Sequence, residues 1–215
     1  MTDSQARERE FLDWRFFVTA FVIGAVSLTA IRPLLRRDPE PPPVLGSVPA
    51  FRLVDVEGQA FDSSQLAGQV YIANFFFTQC PSICPGLMQS MSELGQLLEQ
   101  RHVEGVRLLS ISVDPEHDTP AVLRDYAAKV GALAPRWRLL TGARREIVDL
   151  AEHGFRVPVG DAPSPSVDPY EIAHTGRFVL VDRMGRVRGY YERSSEWGMN
   201  EILERSLQLL EERSP

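Results

Sequence analysis

The only two cysteines of the 215-residue chain lie four positions apart, in the stretch FFFTQCPSIC, and a proline follows each of them. Thiols at this spacing can hold a metal ion, exchange with other disulfides, or close a structural disulfide. A bridge across so short a loop removes little chain entropy, and a domain of this size does not depend on one. Cys80 and Cys84 therefore indicate metal binding or redox chemistry rather than a structural cross-link.

The residues around the cysteines favour the thiolate form. The apolar run Val70–Phe77 predicts a buried central strand that ends just before Cys80, and Pro85 suits the first turn of a helix that follows Cys84. Both thiols are then expected at the carboxyl edge of the sheet, where open α/β folds bind ligands. The dipole at a helix N-terminus lowers the pKa of a thiol, and thiolate is the species that binds metals and attacks disulfides.

Strands and helices alternate along the rest of the sequence. Helices are predicted from Pro85 to about Arg101, after a cap at Asp118 or Thr119, in ARREIVDLAEHG, and from about Glu196 to Glu212. Strands are predicted in VRLLSISV and WRLL, with hairpins that turn at Glu57-Gly58 and Met184-Gly185. This order predicts an α/β fold, a thioredoxin-like mixed sheet flanked by helices.

A metal site on two thiolates needs further ligands. A structural zinc site usually takes four ligands, whereas soft thiolates select Cu(I), which accepts three. Among the four histidines, His102 and His153 are expected at helix ends and His117 in a solvated turn. His174 stands just before a predicted strand that in this fold packs beside the cysteine loop, so it is the candidate third ligand. Met88 and Met91 share a helix face with leucines and are predicted to be core residues.

The N-terminal region differs in composition from the rest. No residue from Phe16 to Ile31 is charged, and arginines flank the run on both sides. A bilayer core needs about 20 apolar residues, so the run is slightly short, but it can span if Trp14 sits at the interface. We predict a tail at 1–13, one uncleaved transmembrane helix at 14–35, a Pro-rich linker at 36–46, and a folded domain at 47–215.

Charge excludes one class of partner. The chain has 23 basic and 29 acidic residues, a net charge of −6 at pH 7. Proteins that bind nucleic acid need a basic face to displace counterions from the phosphates. We therefore expect no nucleic-acid partner.

Three motifs, FTQCPSICP, SVDPEHDTP and YEIAHTGRFVLVD, follow one another in this order. With them, the chain from about residue 44 to its C-terminus resembles the Sco/SenC family of copper-binding, thioredoxin-like proteins. The resemblance implies that one copper ion, Cu(I) or Cu(II), binds through Cys80, Cys84 and His174. Ser82 departs from the family pattern, because many members have Asp at this position.

The resemblance also implies partners and a location. The role would be to help assemble the dinuclear copper centre of cytochrome c oxidase, from an inner-membrane protein whose soluble domain faces the periplasm. The implied partners are the copper-site subunit of that oxidase, an upstream copper donor, a thiol reductant and the membrane. The Pro-rich loop at 157–169 is a candidate part of the docking surface.

More than one function stays open on the sequence. A metallochaperone would deliver copper from the three ligands, whereas a thiol:disulfide oxidoreductase would use the same dithiol to keep the oxidase cysteines reduced. The three residues between the cysteines, and the lack of proline at Ala173-His174-Thr175, depart from ordinary thioredoxins, so the reductase is the second hypothesis. A copper sensor would use the same ligands. Forming the Cys80–Cys84 disulfide would remove both thiolates, so copper loading requires the reduced state.

Overall fold

The computed structural model describes residues 17–27, 40–132, 136–157, 176–192 and 198–212. The chain divides into two units, Met1–Glu40 and Pro41–Pro215. In the first unit, residues 17–27 form helix α1 with exposed side chains. Within the described residues, no helix combines the length and the hydrophobicity of a membrane-spanning segment. The transmembrane helix predicted at 14–35 extends beyond the described helix at both ends and stays a prediction.

The second unit is built on one mixed sheet. Its described strands are β1 Gly46–Ser47, β2 Arg52–Asp55, β3 Ala60–Asp62, β4 Val70–Phe76, β5 Val106–Ser112, β6 Trp137–Thr141, β7 Arg177–Val181 and β8 Arg186–Glu192. They are ordered β1-β8-β7-β4-β5-β6-β2-β3. The pairs β4/β5 and β5/β6 are parallel, and the others are antiparallel. The predicted mixed sheet is therefore confirmed.

Helices cover both faces of this sheet. The helices of the unit are α2 Cys84–Gln100, α3 Pro120–Val130, α4 Arg144–Asp149, a π-helical turn Leu150–Gly154 that continues α4, and α5 Gly198–Glu211. On one face of β4, the Asn74 amide lies 3.6 Å from the sulfur of Met88 in α2. On the opposite face, Phe75 packs edge-on against Phe155, just after the π-helical turn. Since alternate strand residues point to opposite faces, β4 is covered on both sides, which explains its unbroken apolar sequence.

Local sequence signals place the helices that flank the cysteine loop. Met88 and Met91 are fully buried on the inner face of α2, so the prediction that they are core residues is confirmed. At the start of α3 the Thr119 side chain accepts a hydrogen bond from the amide of Val122. Of the two capping candidates in the sequence, Thr119 is therefore the cap. Gly131 ends this helix with a φ of 75°, a conformation that favours glycine.

A buried arginine joins three distant parts of the second unit. The guanidinium of Arg188, only 3% exposed, donates to Asp182 at 2.8 Å and to Glu212 at 2.7 Å. Its Nε also donates to the carbonyl of Pro42 at 2.8 Å. These bonds connect the β7–β8 turn, the end of α5 and the first residues of the unit. A charge buried this deeply is tolerated because each guanidinium nitrogen donates a hydrogen bond and two carboxylates lie beside it.

We predict that Arg188→Met lowers the free energy of unfolding by about 3 kcal/mol, because the buried carboxylate of Asp182 loses a partner. Arg177→Met is the matched control. It removes an ion pair with Glu192 in which the two side chains are 40% and 56% exposed, and it should cost less than about 1 kcal/mol. Urea denaturation followed by circular dichroism measures both values. Equal losses in the two variants would contradict a structural role for the buried arginine.

Candidate functional site

The cysteine loop joins the central strand to the longest described helix of the second unit. Strand β4 ends at Phe76, and α2 begins at Cys84 with Pro85 in its first turn. The residue that precedes the helix, Ile83, offers no side-chain cap. The first-turn amide of Cys84 instead points at the sulfur of Cys80, with an N···S distance of 3.4 Å. The sulfur thus accepts a hydrogen bond from one of the first-turn amides that lack a partner within the helix.

Both thiols are free rather than joined in a disulfide. Cys80 is 6% exposed and Cys84 is fully buried. The hydroxyl of Ser82 lies 3.8 Å from the Cys80 sulfur. A reagent or partner that approaches the loop therefore meets Cys80 before Cys84.

The two thiols have opposite acidities. Burial by itself raises the pKa of Cys80, but hydrogen bonds from the Cys84 thiol and from the backbone amides of Ser82 and Cys84 outweigh it, so the pKa lies below its ordinary value. Burial, the hydrogen bond donated to Cys80, and the charges of Cys80 and Asp118 raise the pKa of Cys84 to about 12. Negative charge is therefore favoured on Cys80 rather than on Cys84, which keeps its proton.

A buried carboxylate fixes the start of the cysteine loop. Asp118, with no exposed surface, accepts hydrogen bonds from the backbone amide and the hydroxyl of Thr78. It also accepts one from the hydroxyl of Ser112 at the end of β5. Sequence reasoning treated Asp118 only as a candidate helix cap. One sequence signal indicates another role for Asp118: it directly precedes Thr119, which can cap the helix by itself and leaves the carboxylate free for other bonds.

Tyr126 is a second neighbour of the thiols that the sequence did not single out. Its ring stacks on Phe76, with centroids 5.5 Å apart. Burial, followed by electrostatic interaction with Cys84, Cys80 and Asp118, raises the pKa of Tyr126 to about 12. Its hydroxyl therefore stays protonated beside the thiol pair.

The described histidines do not join the cysteines. His117 is exposed and bonds the carboxylate of Asp114, which raises the pKa of the imidazole. His153 is exposed and pairs with Asp149, and His102 is exposed in the turn after α2. Their predicted surface positions are confirmed. Among the residues that the structure describes, no group of three or more His, Cys, Asp or Glu side chains is placed to hold a metal ion.

His174 lies outside the described residues, as does most of the Pro-rich loop at 157–169. The first described residue after His174 is Gly176, which lies against the cysteine loop. A Cβ built on Gly176 would come within 3.4 Å of the Ile83 side chain. With a φ of +53°, this position also favours glycine. The start of β7 is therefore packed beside the residue that precedes Cys84.

Comparison with known proteins identifies the family. Residues 42–210 match the SCO1/SenC protein family. The chain belongs to this family. An SCO1 protein homolog of Bacillus subtilis is 32% identical over 146 residues, which cover 67% of this chain and 73% of the relative.

Two solved structures extend the comparison of this SCO1/SenC chain. One is BsSco, a member of the Sco family of cytochrome c oxidase assembly proteins, in which a disulfide switch has been identified. It superposes with a TM-score of 0.68 at 27% sequence identity, and the match covers 81% of this chain and 100% of BsSco. Bradyrhizobium japonicum ScoI, solved with copper bound, gives a TM-score of 0.58 at 25% identity over 76% of this chain and 99% of its own. The predicted thioredoxin-like fold is thereby confirmed.

We predict that iodoacetamide modifies Cys80 of the reduced SCO1/SenC chain well before Cys84. The lowered pKa of Cys80 should let its reaction reach full rate at a lower pH than an ordinary thiol, while Cys84 stays protonated until the pH approaches about 12. Peptide mass spectrometry over a pH series measures both rates. The urea-unfolded chain is the control, in which the two thiols should react alike. Equal rates in the folded chain, or faster modification of Cys84, would contradict the assignment.

We predict that Asp118→Asn lowers the free energy of unfolding by about 2 kcal/mol. The amide keeps only one acceptor oxygen and is uncharged, so one bond from Thr78 or Ser112 is lost or reversed and the remaining ones weaken. Asp125→Asn makes the same chemical change at an exposed position of α3 and should change stability little. Chemical denaturation of both variants gives the comparison. An effect as small as that of the control would show that the buried carboxylate does not hold the loop.

Proposed function

We propose that the chain is a copper metallochaperone that binds one copper ion through Cys80, Cys84 and His174. Its acceptor is the dinuclear copper site of cytochrome c oxidase. The observation that carries the proposal is the reduced thiol pair at the start of α2, with one sulfur favoured as a thiolate. Family membership and the copper-bound ScoI structure support the choice of metal.

The donor set fits copper better than zinc. Soft sulfur ligands select Cu(I), and this ion accepts three ligands, whereas structural zinc usually takes four. None of the described histidines joins the two thiols, so a third ligand has to come from elsewhere in the chain. His174 precedes Gly176 by two residues, and two peptide units span no more than about 7.6 Å. The contact between Gly176 and Ile83 therefore supports His174 as the third ligand.

The acidities of the thiols set the order of copper binding. Copper first meets Cys80, which is the more exposed sulfur and the more acidic thiol. Cys84 then has to release its proton to become a ligand, so binding liberates a proton and strengthens as the pH rises. A three-coordinate ion leaves a position through which an acceptor cysteine can enter, and ligand exchange then transfers the ion.

We predict that the full chain binds one Cu(I) and that His174→Ala binds it on the order of 100-fold more weakly. A directly bound ligand should matter at least as much as the second-shell partners whose loss costs about 10–100-fold. His153→Ala removes an exposed histidine at a helix end and should bind like the wild type. Anaerobic titration against a competing chelator measures affinity, and X-ray absorption counts the sulfur and nitrogen ligands. Wild-type affinity and an unchanged ligand count in His174→Ala would remove this histidine from the site.

The different acidities of the two thiols also favour a second candidate function, that of a thiol:disulfide oxidoreductase. The Cys80 thiolate would attack a sulfur of the acceptor disulfide and form a mixed disulfide. Cys84 would then lose its proton and attack Cys80, which releases the reduced acceptor and leaves a Cys80–Cys84 disulfide. Two electrons pass to the acceptor, and a thiol reductant restores the pair. The disulfide switch identified in BsSco supports this candidate.

One assay separates the two functions. The reduced chain is mixed with an oxidised copper-site subunit, and the free thiols of that subunit are counted. If His174→Ala reduces the acceptor at the full rate while Cys80→Ser does not, reduction is the function. If neither the wild type nor His174→Ala reduces the acceptor, and the copper-loaded wild type transfers its ion, delivery is the function.

The proposed location is the inner membrane, with the helix at 14–35 as a single-pass anchor, the linker at 36–46, and the domain at 47–215 in the periplasm. The uncharged run 16–31 supports an anchor. Protease added to spheroplasts should then digest the domain and leave a membrane-protected fragment that contains residues 14–35. A domain that survives the protease in intact spheroplasts would contradict this location.

A further inference from the structure

Three arginines line one small pocket at the end of the sheet where β4, β5 and β6 begin. The pocket has a volume of about 230 Å³, and Phe61, Leu66 and Gln65 form part of its wall. The arginines are Arg107, Arg136 and Arg138. We call this site the arginine pocket. It lies at the opposite end of the parallel strands from the cysteine loop, which follows the last residue of β4.

Strand register explains why the side chains converge. Arg107 is the second residue of β5, and Arg138 is the second residue of β6. Arg138 is paired with Leu109, which shares a sheet face with Arg107 because alternate residues of a strand point the same way. Arg107 and Arg138 therefore project from one face on neighbouring strands, and both are exposed.

The third guanidinium is held in place by the backbone. Nη1 of Arg136 donates to the carbonyl oxygens of Val103 and Val106. Its Nε is buried and has no hydrogen-bond partner among the described residues. Arg136 is thus a fixed positive charge at the pocket, and its hydrogen-bonding capacity is only partly used.

The pocket arginines form no ion pair with a described carboxylate. Six other described arginines form such pairs, namely Arg52, Arg124, Arg177, Arg186, Arg188 and Arg205, whereas Arg101, Arg145, Arg156 and Arg183 do not. Arg107 and Arg138 are diagonal neighbours on adjacent strands, and their like charges repel each other. An anion bound from outside would relieve this repulsion.

We propose that the arginine pocket binds a phosphate group. Guanidinium groups pair with phosphate through two parallel hydrogen bonds, and a phosphate monoester or pyrophosphate carries enough charge to bridge several arginines. The volume lies below the roughly 300–1,000 Å³ of pockets for drug-sized ligands, which suits a small anion. Two sources present this chemistry, a free phosphate compound and the headgroup of an anionic lipid. The proposal is independent of copper, because the thiols lie at the other end of the sheet.

The test uses the full chain in uncharged detergent micelles at constant ionic strength. Calorimetric titration with pyrophosphate should show saturable binding of one ligand per chain. Arg107→Gln and Arg138→Gln should each weaken binding by about tenfold or more, as expected for the loss of one charge-assisted contact. Arg145→Gln makes the same charge change at an exposed position of α4 and should bind like the wild type. Circular dichroism checks that each variant is folded.

A second arm identifies the source of the phosphate. Micelles are doped with phosphatidic acid, whose headgroup is a phosphate monoester, or, as a control, with phosphatidylcholine, and the pyrophosphate titration is repeated. Competition by phosphatidic acid alone supports the pocket and assigns it to a lipid headgroup, whereas unchanged pyrophosphate binding supports the pocket and assigns it to a free phosphate compound.

Three results would overturn the proposal. The first is the absence of saturable pyrophosphate binding at millimolar concentrations. The second is an equal loss of affinity in Arg145→Gln, which would show that only net charge matters. The third is arginine-dependent binding of polyglutamate without binding of pyrophosphate, which would indicate a surface for an acidic protein instead.

Discussion

The hydrogen bond from the Cys84 amide to the Cys80 sulfur is the interaction on which the site depends. Helix α2 begins without a side-chain cap, and the amide of its first residue, Cys84, donates to this sulfur. The hydrogen bond from the Cys84 thiol, together with those from the amides of Ser82 and Cys84, stabilises charge on Cys80. Burial and the bond that its thiol donates keep the proton on Cys84. Copper binding and disulfide exchange both start from a thiolate, so one local arrangement prepares the chain for either reaction.

The rest of the second unit holds that bond in place. Strand β4 carries the loop to the edge of the sheet, and Asp118 fixes the start of the loop by bonding both Thr78 and Ser112. Tyr126 packs on Phe76, the last residue of the strand, and keeps a neutral hydroxyl near the sulfurs. Strand, carboxylate and aromatic ring therefore limit how far the two thiols can move relative to each other.

The sequence predicted those features that follow from local patterns. The apolar run of β4, the leucine spacing of α2 and the Thr-Pro start of α3 each depend on neighbouring residues, and the structure confirms them. The hydrogen bonds of Asp118 could not be predicted from the sequence, because Asp118 and Thr78 lie 40 positions apart in the chain. The opposite acidities of the thiols depend on burial and on individual hydrogen bonds, which a motif does not encode. The role of His174 stays a prediction.

The place where the folded unit begins has a consequence for how it meets other proteins. Gly46 of β1 pairs with Val187 of β8, and Val187 pairs with Val181 of β7. Val181 lies opposite Tyr71, so β1 lies level with the start of β4. The seven residues of β4 span about 20 Å at roughly 3.3 Å per residue, and the sulfurs follow the far end. The first strand of the folded unit therefore joins the sheet at the end that lies away from the sulfurs. A partner that contacts the sulfurs meets the carboxyl ends of the parallel strands, at the opposite end of the sheet.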